Sequence, residues 1–391
     1  MKLAERIGAI TGGGSDGWEI YYRTRDLLAA GVPVLNLTIG EHDVRTDPAI
    51  LAAMDQSARA GNTGYSFGPG KQELRAAIAE RVAAQTGVAT TWENVIVTPG
   101  GQGGLFAAHM ALCDPGDRAL YIDPYYATYP GTIRATGAVD VPVPTRSRDA
   151  FQPTADVLAA HAPGARSLLI NTPNNPTGVV WSRDTLETVA QVCRDHDLWL
   201  ISDEVYDSQI WDGAHLSPRA LPGMAERTLV IGSMSKSHAM TGSRLGWVIA
   251  PPEVIRAIAV LATNTTYGVP AFIQDAALFA LRQGADFEAA VAEPFRRRRS
   301  LARAVLDRQQ AVRLIPSSGA MYLMLDIRAT GLSGAAFAER LLEQERIAVM
   351  PGESFGTAAA GHVRVAMTIE DRAFVTALER LCAFAAQRQA A

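Results

Sequence analysis

Cysteine is scarce in this chain: three in 391 residues, Cys113, Cys193 and Cys382. They form neither a Cys-x-x-Cys pair nor a zinc-ligand spacing, which excludes a disulfide framework and a cysteine-based metal site, and they are expected as reduced core thiols. An excess of positive charge is missing too. With Lys and Arg at 36 against Asp and Glu at 40 the net charge is −4, so no basic field exists for nucleic acid. The one basic run, Arg296 to Arg299, is expected as the solvated part of a long helix. No eighteen uncharged apolar residues follow one another, and the opening "MKLAERIGAITGGGSDG" interrupts its apolar residues with Lys, Glu and Arg. Neither a membrane span nor an export signal is expected, nor a metal site, and the expected location is the cytoplasm.

What is present is apolar residue in quantity, 48% against 19% charged, enough to build the cores of two or three domains. Between residues 95 and 250 short apolar runs alternate with segments of helix length: Val95–Val97, Ala119–Ile122, Leu168–Ile170, Leu198–Ile201, Leu229–Ile231 and Trp247–Ile249. That rhythm predicts an α/β domain with a mostly parallel sheet. The short connection between the last two runs predicts one antiparallel strand at the sheet edge. In "KQELRAAIAERVAAQTG" Leu74, Ile78 and Val82 fall four apart and Gly87 follows, the pattern of an amphipathic helix with a glycine stop. After residue 284 a long charged helical segment, shorter strands and a final helix predict a second, smaller α+β domain.

In an open parallel sheet ligands gather beyond the carboxyl ends of the strands, and four such ends carry chemistry here. The run ending at Thr98 leads into "PGGQGG" and an apolar helical segment, which could offer backbone N–H groups and a helix dipole to a phosphate, or be only a glycine-rich turn. The run ending at Ile170 leads into "NTPNNPTG", a rigid turn. The run ending at Ile201 leads into "SDEVY"; alone, Asp203 there would be a cap or an ion-pair partner. The run ending at Ile231 leads into "SMSKSHAMTGSRLGW", where Lys236 and Arg244 alone would be surface cations. Together these parts meet the needs of pyridoxal phosphate: a lysine to bind its aldehyde carbon, a carboxylate to keep its ring nitrogen protonated, and a cationic, amide-rich cradle for its phosphate. Burial and neighbouring cations would keep the lysine deprotonated. Lys236 is then the nucleophile and Arg244 a phosphate partner.

With those residues in view, the sequence resembles the fold-type I, class I/II pyridoxal-phosphate aminotransferases. The likeness runs over nearly the whole chain, from "LNLTIGEHD" through "YSFGPGKQELRAAI", "PGGQGG", "DPYYATY", "NTPNNPTG", "SDEVY" and "SMSKSHAMTGSRLGW" to "GHVRVAMT". It implies a large cofactor-binding domain of residues 46–284 around a mostly parallel seven-stranded sheet, a small α+β domain of residues 285–391, and an N-terminal arm of residues 1–45 that joins the small domain. It implies that Lys236 holds the cofactor and shuttles the substrate proton, and that Asp203 pairs with the ring nitrogen. Tyr206 and Asn175 would bond the ring oxygen; the Gly101 and Gln102 amides, Ser233, Ser235 and Arg244 would surround the phosphate. Tyr126 would stack on the ring rather than serve as a core tyrosine. Tyr65 would reach the phosphate of a partner subunit, making a homodimer with shared sites. Arg364 would clamp the substrate α-carboxylate in a bidentate fork, with Asn175 and Gly40 beside it and Trp18 folded over the site. Where the family often has proline, "GEHD" carries His42, either a titratable group near the mouth or a solvated loop histidine.

The implied reaction is ping-pong transamination between an L-amino acid and a 2-oxo acid. Within the family, "SKSHAMTG", "GVPAFIQDAA", "RRRRSLA" and "GESFGTAAAGHVR" are most similar to arginine:pyruvate transaminases. A guanidinium would need a carboxylate, for which Asp16 and Glu19 beside Trp18 are candidates, or are solvated charges. Aspartate or aromatic transamination, and a carbon–sulfur β-lyase on the same fold and lysine, remain open. A gene regulator built on such a domain would need a DNA-binding module, and no helix-turn-helix or basic surface is legible.

Overall fold

The computed structural model describes residues 3–12, 17–66 and 68–388. A short strand, β1 (Leu35–Asn36), precedes the main sheet, whose strands are β2 (Val95–Thr98), β3 (Arg118–Asp123), β4 (Val139–Pro144), β5 (Ala165–Asn171), β6 (Trp199–Asp203), β7 (Thr228–Ser233) and β8 (Gly246–Ile249). Their spatial order is β2-β8-β7-β6-β5-β3-β4. The pairs from β7 to β4 are parallel, and β8 runs antiparallel to both β7 and β2. The antiparallel strand expected at the edge therefore lies inside: β8 folds back beside β7 by a short connection, and β2 pairs with its open side. β4 had no clear signature, because "VDVPVP" carries two prolines and a mostly open face; proline is tolerated there only because the strand is an edge.

Strands β2, β7 and β8 are buried at every residue, as a sheet covered by helices on both faces requires. One face packs Ile96, Ile201, Ile231 and Val248 on Leu105 and Ile255, from the helices Gly100–Leu112 and Pro252–Thr263. The other face packs Val95, Val230 and Ile249 on Leu74 and Ile78, and Leu168 and Leu200 on Leu186 and Val189. Each such aliphatic side chain contributes about 1.5–3 kcal/mol of burial. The helix Gln72–Thr86 buries Leu74, Ile78 and Val82 and ends at Gly87, as its spacing predicts. The three cysteines are buried and free.

After the 22-residue helix Ala285–Leu306 come β9 (Arg313–Leu314), β10 (Tyr322–Asp326), β11 (Ile347–Ala348), β12 (Met350–Pro351) and β13 (His362–Ala366). An antiparallel sheet runs in the order β12-β13-β10-β9, while β11 pairs in parallel with β1. Phe295, Leu325, Phe337 and Phe374 fill its core together with Leu37 from the N-terminal segment. The basic run on the long helix is the solvated face expected only in its first half: Arg296 and Arg297 are exposed, while Arg298 and Arg299 turn inward. Arg298 bonds Asp43 at 2.6 and 2.9 Å, Asp371 at 2.9 Å and the Met367 carbonyl at 3.0 Å, and Arg299 bonds the Ser317 carbonyl at 2.9 Å and pairs with Asp212. Its partners come from remote segments, which a local charge pattern does not announce. Among the described residues no helix is long and apolar enough to cross a membrane, and no group of His, Cys, Asp or Glu is arranged to hold a metal.

Candidate active site

The carboxyl ends of β5, β6 and β7 and the turn after β2 meet at a cavity of about 440 Å³. On one side the helix Gly100–Leu112 begins after Pro99 with no side-chain cap, so its first N–H groups are left for a ligand. Gly100 has φ +74°, and a side chain on it would collide with the Arg244 guanidinium. The Gln102 side chain is engaged within the protein, donating to Thr132 Oγ1 at 2.6 Å and accepting from Thr128 Oγ1 at 2.9 Å, so only its amide faces a ligand. Opposite stand Ser233 and Ser235, whose hydroxyls lie 2.9 Å apart, and Arg244, which donates to the Thr241 carbonyl at 2.8 Å. Arg244 has no carboxylate within ion-pair distance among the described residues. Hydroxyls, an uncapped helix start and an uncompensated guanidinium form a cradle whose chemistry fits a phosphate.

At the end of β6, Asp203 Oδ2 accepts from the Tyr129 hydroxyl at 2.6 Å, and Oδ1 accepts only a long 3.4 Å bond from the Val205 amide. Among the described residues no cation pairs with it. Burial pushes its carboxyl up to about 6, against the pull of the Tyr129 hydrogen bond. A protonated ring nitrogen is the partner such a carboxylate lacks. The asparagine-rich turn is tied to the same strand end: Asn171 donates to the Asp203 carbonyl at 2.8 Å and accepts the Asn175 amide at 2.7 Å. Asn175 then bridges two functional groups, accepting from Arg364 Nη1 at 2.8 Å and donating toward the Tyr206 hydroxyl at 3.5 Å.

Lys236 lies in a single helical turn, Met234–Ser237, capped by Ser233, and its Nζ donates to the Gly40 carbonyl. Burial lowers its pKa, the Arg364 and Arg244 cations push the same way, and Tyr322 and Glu41 oppose them. Arg364, from β13, is 1% exposed. It donates to Asn175 and to the Thr38 carbonyl, and its Nε has no partner. The rings of Tyr322 and Phe355 flank the guanidinium at 4.5 and 4.4 Å. Among the described residues no carboxylate neutralises it, and burial lowers its pKa. A substrate carboxylate would supply the missing charge.

Gly40, Gly101, Gln102, Tyr126, Asn175, Asp203, Tyr206, Ser233, Ser235, Lys236, Arg244, Arg364 and Trp18 all line this one cavity. Tyr65 does not: it is 82% exposed, with its ring beside Tyr267. Asp16 lies outside the described residues. Glu19 lines a second, adjoining cavity of about 1010 Å³, which shares Trp18, Gln102 and Thr128 with the first. His42 lines neither cavity and is not solvated. Its ring is buried edge-on against Phe295 at 5.1 Å, and burial, then the Lys236 charge, hold its pKa near 3. The long helix that carries Phe295 covers it. Among the lining residues that the sequence reading did not single out, two present a hydroxyl on an aromatic ring, Tyr129 and Tyr322. Tyr129 stands three positions after Tyr126 in a motif quoted for Tyr126 alone, and Tyr322 sits in "GAMYLML", legible only as a strand.

The model of the family described as aminotransferase class I and II matches residues 32–381. The chain is 41% identical to the arginine–pyruvate transaminase of Pseudomonas aeruginosa, over 99% of each chain. It is 37% identical to the aspartate/prephenate aminotransferase of Thermus thermophilus, over 91% of this chain and 92% of that one. A solved structure of Thermus thermophilus aspartate aminotransferase with maleate superposes with a TM-score of 0.92 at 34% identity, covering 98% of this chain and 100% of that one.

Proposed function

The chain belongs to the class I and II aminotransferase family and is an aminotransferase, and from that premise we propose that it binds pyridoxal 5'-phosphate and moves the amino group of L-arginine to a 2-oxo acid such as pyruvate. The observation that carries the proposal is the uncompensated charge gathered around one cavity: Arg364 and Arg244 without carboxylates, Asp203 without a cation, and Lys236 among them. When bound, pyridoxal phosphate supplies an electrophilic carbon for the amine and an electron-withdrawing ring that acidifies the substrate Cα–H.

The residues divide the remaining work. Arg244, Ser233, Ser235 and the Gly101 and Gln102 amides would hold the phosphate, and Tyr126 would stack on the ring. Asp203 would keep a proton on the ring nitrogen, for which its position beside Tyr129 suits it. Tyr206 and Asn175 would donate to the ring oxygen. Arg364 would bind the substrate α-carboxylate in a bidentate fork with Asn175 at its edge, while Gly40 and Trp18 close the site against water. Lys236 Nζ, whose pKa burial and the flanking guanidiniums lower, would take the proton from the substrate Cα and return it. Tyr65, directed outward, would serve the site of a second copy, so the active unit would be a homodimer, acting in the cytoplasm. The division into residues 1–45, 46–284 and 285–391 is part of the same proposal.

Arginine as donor is supported by the likeness to the Pseudomonas aeruginosa enzyme and by the second cavity, whose walls carry Glu19, Glu353 and the Arg23-paired Glu339 against one arginine, Arg134. The test is a single-turnover spectrum of the cofactor-loaded protein with L-arginine alone, then with L-aspartate or L-phenylalanine alone. Bleaching by arginine with 2-ketoarginine as product is expected. Conversion of another donor only would discard arginine and keep the chemistry. Release of pyruvate and ammonia from a cysteine conjugate without a 2-oxo acid acceptor would favour the β-lyase reading instead.

A further inference from the structure

Tyr322 occupies a place in the cavity that none of the roles above uses. It opens β10, is 3% exposed and pairs with Ala366, while Met324 pairs with Arg364. Tyr322 and Arg364 are therefore diagonal neighbours on one face of the antiparallel sheet, close enough for a ring to reach a guanidinium. The Arg364 central carbon stands 4.5 Å from the Tyr322 ring centroid, and the ring meets Tyr206 edge-on at 5.8 Å. Ser317 Oγ donates to the Tyr322 carbonyl at 3.2 Å, holding the backbone behind the ring.

The hydroxyl end is more confined still. It lies 3.1 Å from the Tyr206 hydroxyl, and any side chain on Gly40 would collide with it. Gly40 in turn accepts a hydrogen bond from Lys236 Nζ on its carbonyl. A phenol has one proton to give. Tyr206 keeps its proton for the cavity only if it does not spend it on Tyr322, and two groups able to donate to its oxygen stand behind it: Asn175 Nδ2 at 3.5 Å and the Tyr322 hydroxyl.

We propose that Tyr322 is a positioning residue with two separable parts. Its hydroxyl donates to the Tyr206 oxygen and keeps the Tyr206 proton directed into the cavity, and its ring face fixes the plane of the Arg364 guanidinium. The hydroxyl half rests on the pyridoxal phosphate reading above, in which Tyr206 donates to the ring oxygen.

The test uses the cofactor-loaded enzyme and reads its absorbance against pH alongside its kinetics. In Y322F the hydroxyl is lost and the ring stays. The donation from Tyr206 weakens, and the apparent pKa of the bound chromophore rises by about half a unit to one unit. Y206F moves it further in the same direction, and Y206F/Y322F moves it no further than Y206F alone, because Tyr322 acts through Tyr206. KM for donor and acceptor stays within about twofold in Y322F, whereas Y322L raises both by about tenfold with a smaller change in kcat. An unshifted or lowered chromophore pKa in Y322F, a double variant equal to the sum of the singles, or an unchanged KM in Y322L overturns the inference and leaves the cofactor reading standing. A protein that takes up no pyridoxal phosphate overturns both.

Discussion

Arg298 and Arg364 are sealed from water to the same degree, at 4% and 1% exposure, and their surroundings are opposite. Arg298 turns its donors on Asp43, Asp371 and the Met367 carbonyl. Arg81 is likewise held between Asp207 and Glu288, at 2.7 and 2.8 Å. These buried charges are closed, and because their partners come from distant segments they fasten the N-terminal segment and the C-terminal helices together. Among the described residues Arg364 meets only neutral acceptors and leaves Nε unpaired, and Asp203 meets only a phenol and a long amide bond. A charge left buried without its partner costs several kcal/mol. Such a cost is offset when a ligand brings the counter-charge, so burial alone does not separate a functional arginine from a structural one, and the missing partner does.

The sharpest test of the open side is Lys236→Ala, which should lower steady-state transamination by more than about 10⁴-fold, since both the cofactor attachment and the proton carrier are lost. Turnover retained in that variant would remove the cavity from the chemistry. A paired comparison comes next. Arg364→Leu should raise KM for amino acid and 2-oxo acid by about 10²-fold or more with no loss of melting temperature, because it deletes an uncompensated buried charge. Arg298→Leu should cost about 1–3 kcal/mol of stability, because Asp43 loses its cation and Asp371 is left with Arg297 alone. If denaturant titration finds Arg364→Leu the less stable of the two, the distinction between open and closed charge fails.

Asp203 gives an effect of similar size, with a definite sign. An unperturbed Asp titrates near 3.9, and burial raises this one to about 6. Below both values the proton is bound in the folded and unfolded states alike, and the group is neutral to stability. Between them the unfolded chain has released it and the folded chain retains it, so the stability of cofactor-free protein falls as pH rises. Above 6 the fall is complete, at about 2–3 kcal/mol. Urea midpoints of the cofactor-free protein at pH 4.5 and 7.5 should show that fall relative to Asp203→Asn. Parallel pH dependence in the two proteins would mean that Asp203 is compensated after all.

Much of this was legible along the chain. Six apolar runs located six of the seven main strands, and the spacing of Leu74, Ile78 and Val82 located a helix and its end. The turns after those runs named Asn175, Asp203, Lys236 and Arg244, which line one cavity. Periodicity and turn chemistry are properties of a few consecutive residues, so a sequence by itself determines them. β4 was obscured because proline and exposed valine are compatible with a strand only at an edge, and an edge is defined by what lies beside it.

The rest was decided by tertiary structure. Arg298 and Asp43 are 255 residues apart, Asn175 and Arg364 are 189, Tyr206 and Tyr322 are 116, and Tyr129 and Asp203 are 74. In the sequence Arg298 is one of four arginines in a row and Arg364 is alone in a strand, yet the first is structural and the second faces the cavity. Residue types determined which charges and donors the protein possesses. Only the closed chain decided which of them find partners, because hydrogen bonds and buried ion pairs act over a few ångströms in space, whatever the separation along the chain.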